Sequence, residues 1–111
     1  MSTRATVTIY DEWTDSPLVT LYKHCDGYPE GFGADLQAFA APYKIVNGIG
    51  PAEASTTRAN GMGCFAAQLI AHLKTDIGDV YVVPVGSEEE YNYRIRKTKE
   101  DGLTVTCDEG W

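Results

Sequence analysis

The 111-residue chain is the size of one domain, and its 43% hydrophobic content suffices for a core without metal or disulfide staples. Nine Lys and Arg against 16 Asp and Glu give a formal net charge of −7, which argues against a nucleic-acid binder working through phosphate contacts and suits solubility or a basic protein partner. No apolar run reaches the roughly 18 residues of a membrane span. Three scattered cysteines, Cys25, Cys64 and Cys107, do not make a disulfide framework.

The opening MSTRATVTIY has no apolar signal region, so reduced thiols in a cytoplasmic protein are expected. Ala5 to Tyr10 alternates, with Val7 and Ile9 on one face and Thr6, Thr8 and Tyr10 on the other, as in a half-buried strand. Asp11 to Ser16 is a polar connection. Leu18 to Lys23 reads as a second strand with Val19 and Leu21 inward, completing an antiparallel hairpin. The following His24-Cys25-Asp26-Gly27-Tyr28-Pro29-Glu30-Gly31-Phe32-Gly33 holds three glycines and a proline, which force irregular backbone.

A helix follows, marked by Leu36, Phe39 and Ala40 at i, i+3, i+4 spacing, with Asp35 complementing its N-terminus and Pro42 stopping it. Tyr43 to Arg58 is a long connection containing Asn47-Gly48, Gly50 and Pro51, and such connections are often functional. Asn60 is expected to N-cap the main helix, which runs to about Thr75 and buries Met62, Phe65, Ala66, Leu69 and Leu73. Gly78 is its end signal. Val80–Val85, Tyr91–Thr98 and Leu103–Cys107 read as strands, the last two joined by a tight Asp101-Gly102 turn. The order ββ–α–α–βββ predicts a single α+β domain over residues 1–111, with a mainly antiparallel sheet of about five strands and two helices packed on one face.

The segments LYKHCDGYPEGFG, Asn47-Gly48, ANGMGCFAAQLIAHLK and VYVVPV followed by YNYRI together resemble a family of small proteins found in phages, prophages and bacteria. The resemblance covers nearly the whole chain, and the DGYPEG core is its most specific part. It supplies no activity and no catalytic residues. It implies a setting, that of small acidic phage-type accessory proteins which act by binding and often oppose host defence.

Four features are candidates for chemistry. In the His24–Gly33 loop, His24, Asp26, Tyr28 and Glu30 offer groups that grip a polar ligand, with glycines admitting it to the backbone. The structural alternative has Gly27 and Pro29 shaping a strand-to-helix turn and Tyr28 packed on the core. At the main helix, Arg58, Asn60, Gly61 and Gly63 suggest an anion at the positive helix end, because two glycines in a first turn cost roughly 1 kcal/mol each against alanine. The alternative is tight packing against the first loop. There is no GxxxxGK[ST] motif.

Third, Cys25 with His24 or His72 is a poor nucleophile–base pair. Strand neighbours point to opposite faces, and Cys64 and His72, two turns apart in the column Cys64–Gln68–His72, are roughly 11 Å apart along the axis. No metal-ligand spacing occurs, although a site assembled from His24, Cys25, Asp26 and His72 stays open. Fourth, Arg94 and Arg96 share one face of their strand, a patch for a phosphate or simply the solvated face of an edge strand.

These readings favour a non-enzymatic accessory binding protein without cofactor or metal. It would counteract host defence by sequestering a small anionic or nucleotide-like ligand, or by docking to a basic defence protein. No membrane or direct nucleic-acid contact is expected. A small hydrolase using His24, Asp26 or Glu30 as general base, and a homo-oligomeric structural module, are the alternatives.

Overall fold

In the computed structural model, which describes residues 2–48 and 57–109, the alternation at the N-terminus forms β1 (Ala5–Tyr10), paired antiparallel with β2 (Pro17–Lys23). A π-helical turn over Pro29–Gly33 leads into α1 (Ala34–Ala40). The long connection contains two short strands, β3 (Lys44–Val46) and β4 (Arg58–Asn60), which pair in parallel; Gly50 and Pro51 lie outside the described residues. Helix α2 (Gly61–Leu73) ends two residues earlier than expected, and β5 (Val80–Val83) stops before Pro84, whose missing N–H cannot continue a ladder. β6 (Tyr91–Lys97) and β7 (Leu103–Cys107) complete the chain. Their connection is a five-residue loop, Thr98–Gly102, rather than a two-residue turn, with Asp101 at φ 67° and Thr98 bonded across it to Gly102.

The main sheet has the order β5-β2-β1-β6-β7. The fold is α+β, and every pairing within the main sheet is antiparallel except β1 with β6. The exception has a topological cause. β2 is flanked by β1 and β5, and the next strand takes the free side of β1 rather than the outer side of β5. Pro84–Glu90 carries the chain there, from the level of Thr20 at the end of β5 back to Ala5 at the start of β6. β6 thus runs in the direction of β1.

The inward face of β1 (Ala5, Val7, Ile9) packs with Leu21, Tyr93 and Ile95 against Phe32 and Leu36 on one side and Met62, Phe65 and Leu69 on the other, all in one cluster. Among the described residues no helix is long and apolar enough to cross a membrane. The opposite face is not simply solvated. Thr6, Thr8, Thr20 and Asn92 are buried there, and the Pro84–Glu90 crossing is bonded to them through Gly86 N–H to the Thr20 hydroxyl and Glu89 N–H to Asn92 Oδ1.

Two core groups make stability depend on alkaline pH. Burial pushes the Tyr93 phenol and the Cys107 thiol above their ordinary values, with the neighbouring thiol adding to the effect on Tyr93. Tyr93 is fully buried and donates to Gly27 O at 2.8 Å. A raised folded-state pKa contributes stability that is complete below the unfolded values, about 8.5 for Cys and 10 for Tyr, and is lost as pH rises through the folded ones. Circular-dichroism melts should therefore hold a constant Tm to about pH 8 and fall steeply above pH 10; a Tm unchanged to pH 11 would contradict this assignment.

Candidate functional site

The expected anion seat at the start of α2 is filled by the chain itself. Asn60 makes no capping bond; its Oδ1 instead accepts from Gly48 N–H at 2.8 Å. The Glu12 carboxylate takes the capping role, both oxygens lying 3.2 Å from Met62 N–H. Glycine suits position 61 by its backbone conformation, and the Glu12 carboxylate lies close against it. The φ of Gly61 is +84°, and a Cβ there would stand 2.7 Å from Glu12 Oε2. Gly63 is exposed with open space around it, so tight packing does not account for it. Arg58 lies in β4 opposite Lys44 and already has interactions of its own.

The His24–Gly33 loop lies at the other end of β1. Gly27 N–H donates to Thr3 O at 2.9 Å, and a Cβ on Gly27 would meet Ala5 Cβ at 2.7 Å. Glu12 follows Tyr10, and β1 spans about 17 Å at 3.3 Å per residue. The two glycine-bearing segments therefore do not form the two walls of one pocket.

Within the loop, both His24 ring nitrogens face hydroxyls, Nδ1 that of Tyr22 at 2.8 Å and Nε2 that of Ser2 at 3.3 Å. Which group donates in each of these two contacts depends on the His24 tautomer. The Ser2 hydroxyl is also 3.8 Å from Cys25 Sγ. Asp79 braces the segment by pairing with Lys23 and accepting from Cys25 N–H. Burial pushes its carboxyl up, but the Lys23 bond and charge outweigh this and hold it below the usual range. Asp26 and Glu30 are exposed, and Tyr28 is 38% exposed rather than packed on the core. His72 is occupied elsewhere, stacked on Phe39 and 3.3 Å from Asp35. Among the described residues no three His, Cys, Asp or Glu side chains come together as a metal site.

Arg94 and Arg96 do share a face, but β6 is an interior strand, not an edge. Arg94 helps line a small cavity of about 90 Å³ with Thr6, Thr8 and Glu88. Arg96 is bonded to Asp15 at 2.9 Å, with its guanidinium 3.8 Å from the Tyr10 ring. It anchors the β1–β2 turn.

That turn carries the feature the sequence reading passed over. Asp11 Oδ2 accepts from Trp13 N–H, Thr14 N–H and the Thr14 hydroxyl, and Asp11 N–H donates to Ser16 O. The Thr14 bonds hold the Asp11 carboxyl below its ordinary value. This bonded turn presents Trp13 to water, 78% exposed. Beside it is a cleft of about 370 Å³, lined among the described residues by Trp13, Glu12, Ile45, Val46, Asn47 and the Lys97–Asp101 pair. Lys97 Nζ lies 2.9 Å from Asp101 Oδ1, so the mouth holds one ammonium and two carboxylates. A concave, mainly apolar site with a few polar groups and an aromatic wall is the usual form of a small-molecule site. Comparisons of the chain with protein-family models, with curated proteins and with solved structures find no match.

Proposed function

We propose that the protein is a non-enzymatic binding protein that captures a small flat heterocycle of nucleobase or nucleoside type in the Trp13 cleft. The observation that carries this reading is an exposed indole held by an over-bonded turn at the edge of a 370 Å³ cleft. An indole kept in water forgoes roughly 1.5–3 kcal/mol of burial, and aromatic stacking recovers such area on binding a planar ring. Glu12 and Asp101 supply acceptors for ring N–H donors, and Asn47 supplies an amide of both kinds. With two carboxylates against one ammonium, the cleft suits a neutral or cationic ring better than the bare anion anticipated at the start of α2. A phosphate, if present, would point away from it. The phage-type resemblance gives the setting in which capture of a nucleotide-like signal would oppose host defence.

A ligand that binds only the folded state raises Tm. A panel of free bases, nucleosides and nucleotides, screened by thermal shift against the native chain and Trp13→Ala, should give a rise with at least one base or nucleoside that Trp13→Ala loses. The side chain is exposed, so the unliganded variant should melt within a few degrees of the native chain. No shift with any member, or the same shift in Trp13→Ala, refutes the proposal.

A further inference from the structure

Of the seven large hydrophobic side chains that stand exposed, five lie on or beside β5: Leu18, Ile77, Tyr81, Val82 and Val85. β5 is a sheet edge, and from Val80 to Ser87 the chain carries no charged side chain. Sheet edges are normally blunted by charge, bulges or cover, because a bare edge templates pairing.

The register shows how much of this edge is open. His24 N–H donates to Asp79 O, and β5 pairs Tyr81 with Tyr22 and Val83 with Thr20, so the backbone groups of these odd-numbered residues face β2. Those of Val80 and Val82 face outward. Val80 is already satisfied, its N–H by Gly78 O and its C=O by the Lys74 ammonium at 2.9 Å. Pro84 has no N–H, and its carbonyl accepts from Ser87. Val82 is left with one outward donor and one outward acceptor. A long extended peptide could not run its ladder along so short a gap. A second copy fits it: in an antiparallel pair, two residues directly opposite exchange both N–H···O bonds. Val82 opposite the Val82 of a second copy satisfies both groups twice over and sets Tyr81 against the second copy's Val83.

We infer that β5 is a two-fold association edge for a second copy of this chain, joining two five-stranded sheets through Val82. The exposed Tyr81 and Val82 flank this edge on opposite faces of the sheet, and Ile77 and Val85 extend the apolar surface at its two ends. Each copy carries a formal charge of −7, so the copies repel at long range. The residues of the edge strand itself are uncharged, the Lys74 ammonium being already bonded to Val80 C=O, and salt, which screens over about 8–10 Å, strengthens the association. This is opposite to the salt response of docking onto a basic protein.

Sedimentation of the full chain over about 1 μM to 1 mM should show a shift from the 12.1 kDa monomer to twice that mass, at lower concentration as salt rises. Val82→Lys, which sets two ammonium groups across the two-fold axis, should remain monomeric with an unchanged circular-dichroism spectrum. Amide exchange at Val82 in the native chain should slow with protein concentration, a readout that needs no variant. A native chain monomeric throughout, a Val82→Lys chain that associates as the native one does, or Val82 exchange independent of concentration would each overturn the inference.

Discussion

Asn92→Ala is expected to lower stability by about 3–4 kcal/mol and to release the Pro84–Glu90 crossing, since the four bonds of this buried side chain are lost at roughly 1 kcal/mol each. Asn92 is the hub that ties this crossing to the sheet. Its Oδ1 accepts from the Thr6 hydroxyl at 2.7 Å and Glu89 N–H at 2.8 Å, and its Nδ2 donates to Glu89 O and Asp108 Oδ2. Thr6 and Asn92 are buried, so water cannot replace these bonds without opening the structure.

The loss should be smaller in acid. Burial pushes the Asp108 carboxyl up, but the Asn92 side-chain and backbone donors outweigh it and hold the group below its ordinary value. A lowered folded-state pKa gives stability that is present above about pH 3.9 and lost as pH falls through the folded value. Urea unfolding at pH 7 and pH 3 measures both effects. A loss under 1 kcal/mol at pH 7, or the same loss at both pH values, would remove Asn92 from this role.

Glu12→Ala should have the next largest effect, about 1–2 kcal/mol, because it removes both a cap and a negative charge from the positive end of α2. At roughly 4–8 °C per kcal/mol for a domain near this size, the fall in Tm is readily measured. Glu12→Gln separates the contributions by keeping an acceptor for Met62 N–H while removing the charge, and should lose less than half as much. Equal melting of all three chains would show that the carboxylate does not cap α2. The effect is long-range in sequence, since Glu12 lies on the β1–β2 turn, 50 residues before Met62. It therefore couples the turn that presents Trp13 to the helix behind the cleft.

The same residues explain what could be read from the sequence. Periodicity located β1, β2, α2, β6 and β7, because alternation and the 3.6-residue stripe are local consequences of one buried face. Val7, Ile9, Phe65 and Leu69 were placed inward and are buried. Thr6 and Thr8 were placed outward and are buried too, because what covers them is a crossing some eighty residues later whose path no local pattern encodes. Local rules favoured Asn60 as the N-cap, and a distant carboxylate replaced it.

At the candidate site, the glycines flagged for ligand approach include two, Gly27 and Gly61, that instead admit the chain's own Ala5 and Glu12. Trp13 went unnoticed because the connection around it is polar. A single large aromatic in a short turn, with no periodic partner to bury it, was the available signal.

The central claim is that the Trp13 cleft, and not the His24–Gly33 loop, receives a small heterocycle. Titration of the native chain with the base or nucleoside that gives the largest thermal shift, followed residue by residue by nuclear magnetic resonance, tests it most directly. The account predicts that the Trp13 indole N–H and the backbone amides of Ile45, Asn47 and Lys97 shift together, while Tyr22, His24 and Cys25, at the far end of β1, stay in place. Shifts centred on His24 and Cys25 with the Trp13 indole unmoved would contradict it.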